Sequence, residues 1–297
     1  MRYCIVLNAS AGSLLGKKME EVERDIKSNF AKTSVDIEIR KPEGTELVET
    51  LEDAAKSGFD AVIVGGGDGT IATAASILGK HDLPLGIIPL GTMNMLARDL
   101  NLPTELESAI AALAGGRVRA IDMGEVNGEP FLCNSTLGLV PQLGQERELQ
   151  RGKPLWIKIP ALIRQGIATL YRWPGHTLTL EYEGKTLRVM TRLLTIANNE
   201  YSCTAEGFLP RQCLDGGKLA VYVARHKSRL GLLWFSIGIL FRFWQSDKLL
   251  ETIKVERLTV KSRRRFLDVC NDGEIKKLRS PLNYKILPKA LKVIGPK

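Results

Sequence analysis

The sequence predicts an α/β protein: a doubly wound parallel sheet in a first domain, followed by a mostly antiparallel, β-sandwich-like second domain. Two observations predict it. Through about residue 120, short β-branched runs alternate with longer segments of helical period, the pattern of a parallel sheet with helices on both faces. From about Met123, hairpin dipeptides such as Asn127-Gly128 and Glu183-Gly184 separate strand-like runs that have no helix between them.

Taken in order, Tyr3 to Leu7 is an apolar run of strand length. Ser13 can cap a helix whose apolar positions Leu15, Met19, Val22, Ile26 and Phe30 keep the 3.6-residue period. Val35, Ile37 and Ile39 alternate as a strand, and a helix runs from about Thr45 to Lys56. Phe59 to Val64 is a buried strand that ends in the glycine-rich turn Gly65-Gly66-Gly67-Asp68-Gly69-Thr70, with a helix behind it at Ile71 to Leu78. Leu85 to Ile88 is the next strand, closed by Pro89-Leu90-Gly91-Thr92, and Met93 to Asp99 opens another helix. In the second half, strands are predicted at Thr177 to Glu183, Thr186 to Ile196, Lys218 to Val223, Ile253 to Lys261, Phe266 to Cys270 and Leu282 to Ile286. Helical insertions are predicted near Trp156 to Tyr171 and Leu230 to Trp244.

Composition narrows the function. With 297 residues, 44% hydrophobic and 25% charged, the chain is long enough for two ordinary domains and too apolar to be disordered. Lys plus Arg exceed Asp plus Glu by 42 − 33 = 9, which favours an anionic partner: a nucleotide, a nucleic acid or an acidic membrane face. No zinc finger, aromatic RNA platform or basic heptad helix is present, which argues against nucleic acid. The five cysteines are scattered and never spaced as Cys-x-x-Cys, so a reducing cytoplasm is expected. The apolar run at Leu230 to Phe241 is broken by Arg242 short of the ~20 residues that span a bilayer. Its Trp and Phe residues, flanked by Arg225, Lys227 and Arg229, suit either adsorption to anionic headgroups or a buried core helix. Lys261, Arg263, Arg264 and Arg265 form a second basic cluster, of the kind a solvated strand end carries. No Ser-His-Asp arrangement occurs, and His81, His176 and His226 lack ligand spacing.

The chemistry sits in the glycine turns. A glycine-rich turn between a buried strand and a helix lets backbone N–H groups approach a phosphate, with the helix N-terminus adding positive partial charge. Gly65 to Thr70 has that context but neither the Walker A nor the dinucleotide-binding spacing. Asp68 conflicts with a phosphate there: two charges ~4 Å apart repel by roughly 4 kcal/mol at an effective dielectric of 20. Either a cation lies between them or the carboxylate points elsewhere. Pro89 to Asn94 is a second phosphate-sized turn, and adjacent parallel strands bring both turns to one rim. Asn271-Asp272-Gly273 reads as a type I′ hairpin turn, and a carboxylate held there could also orient a hydroxyl for in-line attack on a phosphoryl group.

Over nearly its whole length the chain resembles the soluble diacylglycerol kinase and sphingosine kinase catalytic-domain family. The family's Gly-Gly-Asp-Gly-Thr is Gly66 to Thr70, and its Pro-x-Gly-Thr-x-Asn-x-x-Ala is Pro89 to Ala97. Asn8 to Gly12, Ile121-Asp122-Met123-Gly124 and Asp272-Gly273-Glu274 continue the match. The resemblance implies a lipid kinase with ATP and Mg²⁺ in a cleft, a lipid substrate, and peripheral contact with an anionic membrane. It implies a kinase domain at 1–122 to which 288–297 return, and a lipid domain at 123–287. Asn8, Gly65, Gly66, Gly67, Asp68, Gly69, Thr70, Gly91, Thr92 and Asn94 would bind nucleotide. Asp272 would take the acceptor hydroxyl proton, with Asp68 and Asp122 in the surrounding metal and charge network and Glu274 as a further metal contact. The whole reading expects Asp272 and the glycine-lined pocket to face one crevice.

Three departures stand out. The family's Asp-Asp-Gly-x-Leu, part of a structural metal site in some relatives, is Asp215-Gly216-Gly217-Lys218-Leu219, so that site is expected to be absent. Arg40 replaces a usual Thr and either contacts phosphate or is solvated, and Met95-Leu96 replaces a frequent Asp-Phe. Two alternatives stay open: NAD kinase, which shares Gly-Gly-Asp-Gly, and a lipid- or nucleotide-binding relative without catalysis. The acceptor and the oligomeric state are not specified by these motifs.

Overall fold

The computed structural model describes residues 1–8, 19–138, 175–202, 211–225 and 250–296. The expected cap at Ser13, the segment Ala9 to Gly12 and both predicted helical insertions lie outside the described residues. The chain divides into two compact units. The first comprises Met1–Met123, Ala205–Gly217 and Leu287–Lys297; the second comprises Gly124–Thr204 and Lys218–Ile286. The sequence ran the second domain unbroken from 123 to 287, whereas 205–217 make an excursion into the first unit.

In the first unit, β1 (Arg2–Leu7) lies between β2 (Asp36–Arg40) and β3 (Ala61–Gly66), and β3 pairs with β4 (Leu85–Pro89), all parallel. The long last strand, β16 (Leu282–Gly295), joins β4 in parallel through Val293. β3 and β4 are buried along their whole length, as strands covered by helices on both faces must be. The covering helices are α1 (Met19–Phe30), α2 (Leu47–Lys56), α3 (Asp68–Leu78), the single turn α4 (Met95–Asp99) and α5 (Leu106–Ala114). In α1 the residues Val22, Ile26 and Phe30 are buried at the predicted period, and in α2 Leu47, Leu51 and Ala54. The helix α5, which the sequence reading passed over, is capped by the Glu105 carboxylate, which accepts from the N–H groups of Glu107 and Ser108. The strand order places the reversal of winding between β1 and β3, so the crevice for a ligand lies off their carboxyl ends.

The second unit is a sandwich. One sheet runs β12 (Leu250–Val255), β11 (Leu219–Ala224), β10 (Leu193–Asn198), β7 (Asn134–Gly138), β14 (Phe266–Asn271) and β15 (Glu274–Arg279), antiparallel throughout. The other pairs β8 (His176–Tyr182) with β9 (Lys185–Thr191) and with β13 (Arg257–Ser262), and β13 with the first residues of β16. Leu178, Leu180, Val260 and Tyr284 from this sheet share one buried cluster with Ile196, Val221 and Val269 from the first. Two runs read as single strands are each two: Thr186 to Ile196 breaks at Arg192 and Ile253 to Lys261 breaks at Glu256, and in both cases the halves lie in different sheets. Conversely β16 continues past Ile286 through Pro288, with Lys289 in a left-handed conformation (φ 53°).

Candidate active site

The first unit assembles the two glycine turns. At the end of β3 the backbone N–H of Asn8 donates to Gly65 O at 3.0 Å, and Leu90 N–H donates to Gly66 O at 3.1 Å, which ties the turn to its neighbours on either side. The Asn8 amide donates to the Thr70 hydroxyl at 2.9 Å. Gly67 and Gly91 meet backbone to backbone: a Cβ on Gly91 would stand 2.7 Å from the Gly67 Cα and 2.8 Å from the Asn94 Oδ1. No side chain fits at Gly91 between the turns, which is the physical reason for glycine there, whereas a Cβ on Gly67 would make only ordinary contact with the Gly91 Cα at 3.6 Å. The Asn94 Oδ1 accepts from Gly91 N–H at 2.9 Å and its Nδ2 donates to Gly91 O at 2.9 Å, closing the second turn on itself with Asn94 at φ 49°. The helix α3 starts directly at Asp68, with Gly67 as its N-cap and no side chain capping it.

Asp68 resolves the charge conflict by orientation. Its Oδ2 accepts from Asn94 N–H at 3.0 Å and its Oδ1 from Met95 N–H at 2.7 Å. The carboxylate thus fastens the first turn to the second and to α4. The opposite end of α4 is held too: Arg211 Nε donates to Asp99 Oδ2 at 2.7 Å and Arg211 N–H to Asp99 Oδ1 at 3.1 Å, with the two side chains 1% and 6% exposed. Neither residue was singled out in the sequence, because 112 positions separate them. Arg40 is engaged with Glu38 and Asp53, at 2.8 and 2.6 Å, and stacks over Phe59.

Asp122 is completely buried, and its oxygens accept from Gly217 N–H at 2.7 Å and Lys289 N–H at 2.9 Å, while its own N–H donates to Leu214 O. It holds segments 205–217 and 287–297 to the first unit. Asp215 is exposed, and Gly217 takes the left-handed conformation (φ 68°) that its bond to Asp122 accompanies. Among the described residues no group of three or more His, Cys, Asp or Glu side chains is arranged to hold a metal. The carboxylate at the glycine turns is that of Asp68, partly exposed and with both oxygens on backbone amides. Asp122, with no exposed surface and both oxygens on amides, does not fit a ligand role.

In the second unit, Asp272 and Gly273 form the turn between β14 and β15, with φ 49° and 95°, the type I′ geometry the dipeptide predicts. The carboxylate is also clasped. Its Oδ1 accepts from Cys133 N–H at 2.8 Å and Asn134 N–H at 2.9 Å, and its Oδ2 accepts from Leu132 N–H at 2.5 Å. Asn198 grips the same segment from the carbonyl side, its Nδ2 on Leu132 O and its N–H on Cys133 O. Next to Asp272, Asn271 is 5% exposed and neither of its amide atoms has a hydrogen-bond partner. Across the ladder from it, the Ser135 hydroxyl shares a 3.1 Å hydrogen bond with Tyr284, whose phenol burial pushes far above its ordinary pKa. Glu274 stands exposed at the start of β15.

Residues 2–126 match the family model of the diacylglycerol kinase catalytic domain. Proteins described as "Probable lipid kinase YegS-like" from Yersinia pestis (strain Pestoides F) and Yersinia pseudotuberculosis serotype O:1b (strain IP 31758) are each 45% identical over 92 residues. Those matches cover 30% of this chain and 31% of the relatives, so the chain aligns with about a third of their length. A crystal structure of a diacylglycerol kinase from Bacillus anthracis str. Sterne superposes with a TM-score of 0.72 at 20% identity, over 99% of this chain and 96% of that one. A further structure from the same organism reaches 0.78 at 22% identity. At these identities the likeness shows the fold.

Proposed function

We propose, from the match of residues 2–126 to the model of the diacylglycerol kinase catalytic domain, that the chain is an ATP-dependent lipid kinase. It moves the γ-phosphoryl group to a hydroxyl of a membrane lipid of the diacylglycerol or sphingoid-base type. The observation that carries the reading is the backbone contact of Gly67 with Gly91, which makes one amide-lined cradle out of two turns.

The residues divide the work. Gly65 to Gly67 and Gly91 bring bare backbone close to the phosphates, and the uncapped start of α3 adds its partial positive charge. Asn8 fixes the Thr70 hydroxyl, while Thr92 is exposed on the second turn. Asp68 and the Asn94 ring of hydrogen bonds keep the two turns in register, so positioning precedes substrate. Mg²⁺, bound with the nucleotide and neighboured by Asp68, would neutralise charge on the phosphates as the bond transfers. Asp272 is the group assigned to accept the proton of the lipid hydroxyl, its orientation fixed by three amides. NAD kinase is not favoured: it shares Gly66 to Gly69, whereas the family match runs through both turns.

The test is incubation with labelled ATP and Mg²⁺ against separate panels of diacylglycerols, sphingoid bases and NAD. Labelled lipid phosphate is the expected product. Labelled NADP, or nucleotide binding with no labelled product from any panel, overturns the assignment.

A further inference from the structure

We infer that one end of the sandwich, built around the β13–β14 connection, is the surface by which this protein settles on an anionic lipid bilayer. The choice of a bilayer as partner rests on the lipid-kinase reading; the surface itself rests on the following geometry.

Arg263, Arg264 and Arg265 occupy the connection between β13 and β14, all exposed, and Phe266 follows with 47% of its surface open to solvent. Arg279 is the ladder partner of Phe266 and is exposed as well. No ion pair involves any of these four arginines among the described residues, whereas the nearby Lys261 is already neutralised by Glu181 at 2.6 Å. Asp268, two positions along β14, is an acidic side chain on the same cleft as Arg264 and Phe266. The connection is not a loose tip: Arg264 N–H donates to Ser262 Oγ, Ser262 N–H to Ser280 Oγ, and Ser280 N–H to Arg265 O at 3.0 Å. The arginines are therefore presented by a braced turn, which lowers the entropy lost when they meet headgroups.

An apolar group accompanies the charge: the exposed Phe266 ring lies under the Arg265 guanidinium, which is 5.6 Å from the ring centroid. A cleft here is lined by Leu137, Leu178 and Leu267 and by His176, Arg264, Phe266 and Asp268. Burial, and then the Arg264 charge, lower the His176 pKa. A solvated strand end explains exposed arginines; it does not explain an exposed Phe set among them. Stable adsorption takes an apolar anchor and a basic patch together, and this end supplies both. A second copy of the chain is a poor occupant, since the patch would face its own charge.

The experiment is co-sedimentation of the full chain with vesicles of phosphatidylglycerol and phosphatidylcholine in equal parts, against phosphatidylcholine alone. The wild type is expected to bind the first and not the second, and to be released as salt rises from about 0.05 M to about 0.5 M. Replacing Arg263, Arg264 and Arg265 by Gln together should lower partitioning roughly a hundredfold, at about fivefold per arginine. Phe266→Ser should weaken it by a smaller factor that salt does not change. Unchanged partitioning of a triple variant that melts like the wild type overturns the surface, as does a variant that keeps vesicle binding and loses binding to single-stranded polynucleotide instead. Should the triple variant melt early, Arg263→Gln alone and the salt titration of the wild type decide. Activity on a short-chain, monomeric acceptor separates the two claims: arginine-dependent vesicle binding without any lipid phosphorylation removes the kinase reading and leaves the surface standing.

Discussion

Asp272→Asn separates structure from chemistry at the proposed base. The carboxylate accepts three backbone N–H bonds, two on Oδ1 and one on Oδ2. Asparagine keeps one acceptor oxygen and turns a donor toward whichever amide the other oxygen served. Retaining the bonds to Cys133 and Asn134 leaves the Leu132 N–H against an NH₂ group. One bond to a charged acceptor is lost, at about 1.5–3 kcal/mol, and a half-buried donor is stranded, at about 1–3 kcal/mol. The expected loss is about 3–5 kcal/mol, which at a urea slope of about 2–3 kcal/mol/M shifts the unfolding midpoint by about 1–2 M. Turnover must therefore be compared at a temperature where the variant remains folded. There, loss of the base should cost about 10²–10⁴ in rate. Asn198→Ala supplies the control, since it loosens the same segment by removing the bond to Leu132 O without touching Asp272. The clasp is refuted if Asp272→Asn unfolds at the wild-type urea concentration. The base assignment is refuted if its turnover at matched folding stays within tenfold of Asn198→Ala.

Three further outcomes are expected. Arg211→Met or Asp99→Leu alone should destabilise the first unit by about 3–5 kcal/mol, because each strands a buried charge, while the double variant should lie near the wild type; additive losses in a double-mutant cycle would show that the pair is not coupled. Gly91→Ala should cost about 1–3 kcal/mol and weaken nucleotide binding, since its Cβ would overlap the Gly67 Cα; wild-type nucleotide affinity by calorimetry would contradict the closed contact between the turns. Burial pushes the Cys4 thiol from 9.0 up to about 11, so the neutral thiol favours the folded state. That contribution is fully present below pH 9 and disappears as the pH passes 11, so the wild type should lose stability across this window relative to Cys4→Ala, and parallel pH profiles of the two melting curves would speak against it.

The parts of this molecule that were legible in the sequence are those whose cause is local. Val22, Ile26 and Phe30 follow the period of a helix, Asn127-Gly128 and Asp272-Gly273 demand left-handed turns, and the glycines at 67 and 91 announce close backbone approach. The corners at Arg192 and Glu256 were invisible because alternation continues straight through a bend from one sheet to the other, leaving no break in the pattern. The bond of Gly217 to Asp122 spans 95 positions and the Arg211–Asp99 pair spans 112, distances over which no local pattern speaks.

The acidic residues show a deeper reason for the limit. Asp68, Asp122 and Asp272 were each assigned to charge or metal chemistry from their side chains, and each turns out to hold backbone amides: two for Asp68, two for Asp122 and three for Asp272. Almost every residue carries such an amide, so no side-chain pattern can mark the partner. For Asp68 the consequence is mechanistic. A carboxylate among phosphate-binding amides would oppose the ligand by Coulomb repulsion, yet turned onto Asn94 and Met95 its charge is spent in joining the two turns that the phosphates need. The acid then serves the site through the backbone it organises. Its replacement by Asn should accordingly weaken nucleotide binding through loss of the second turn, even in an assay without any divalent ion.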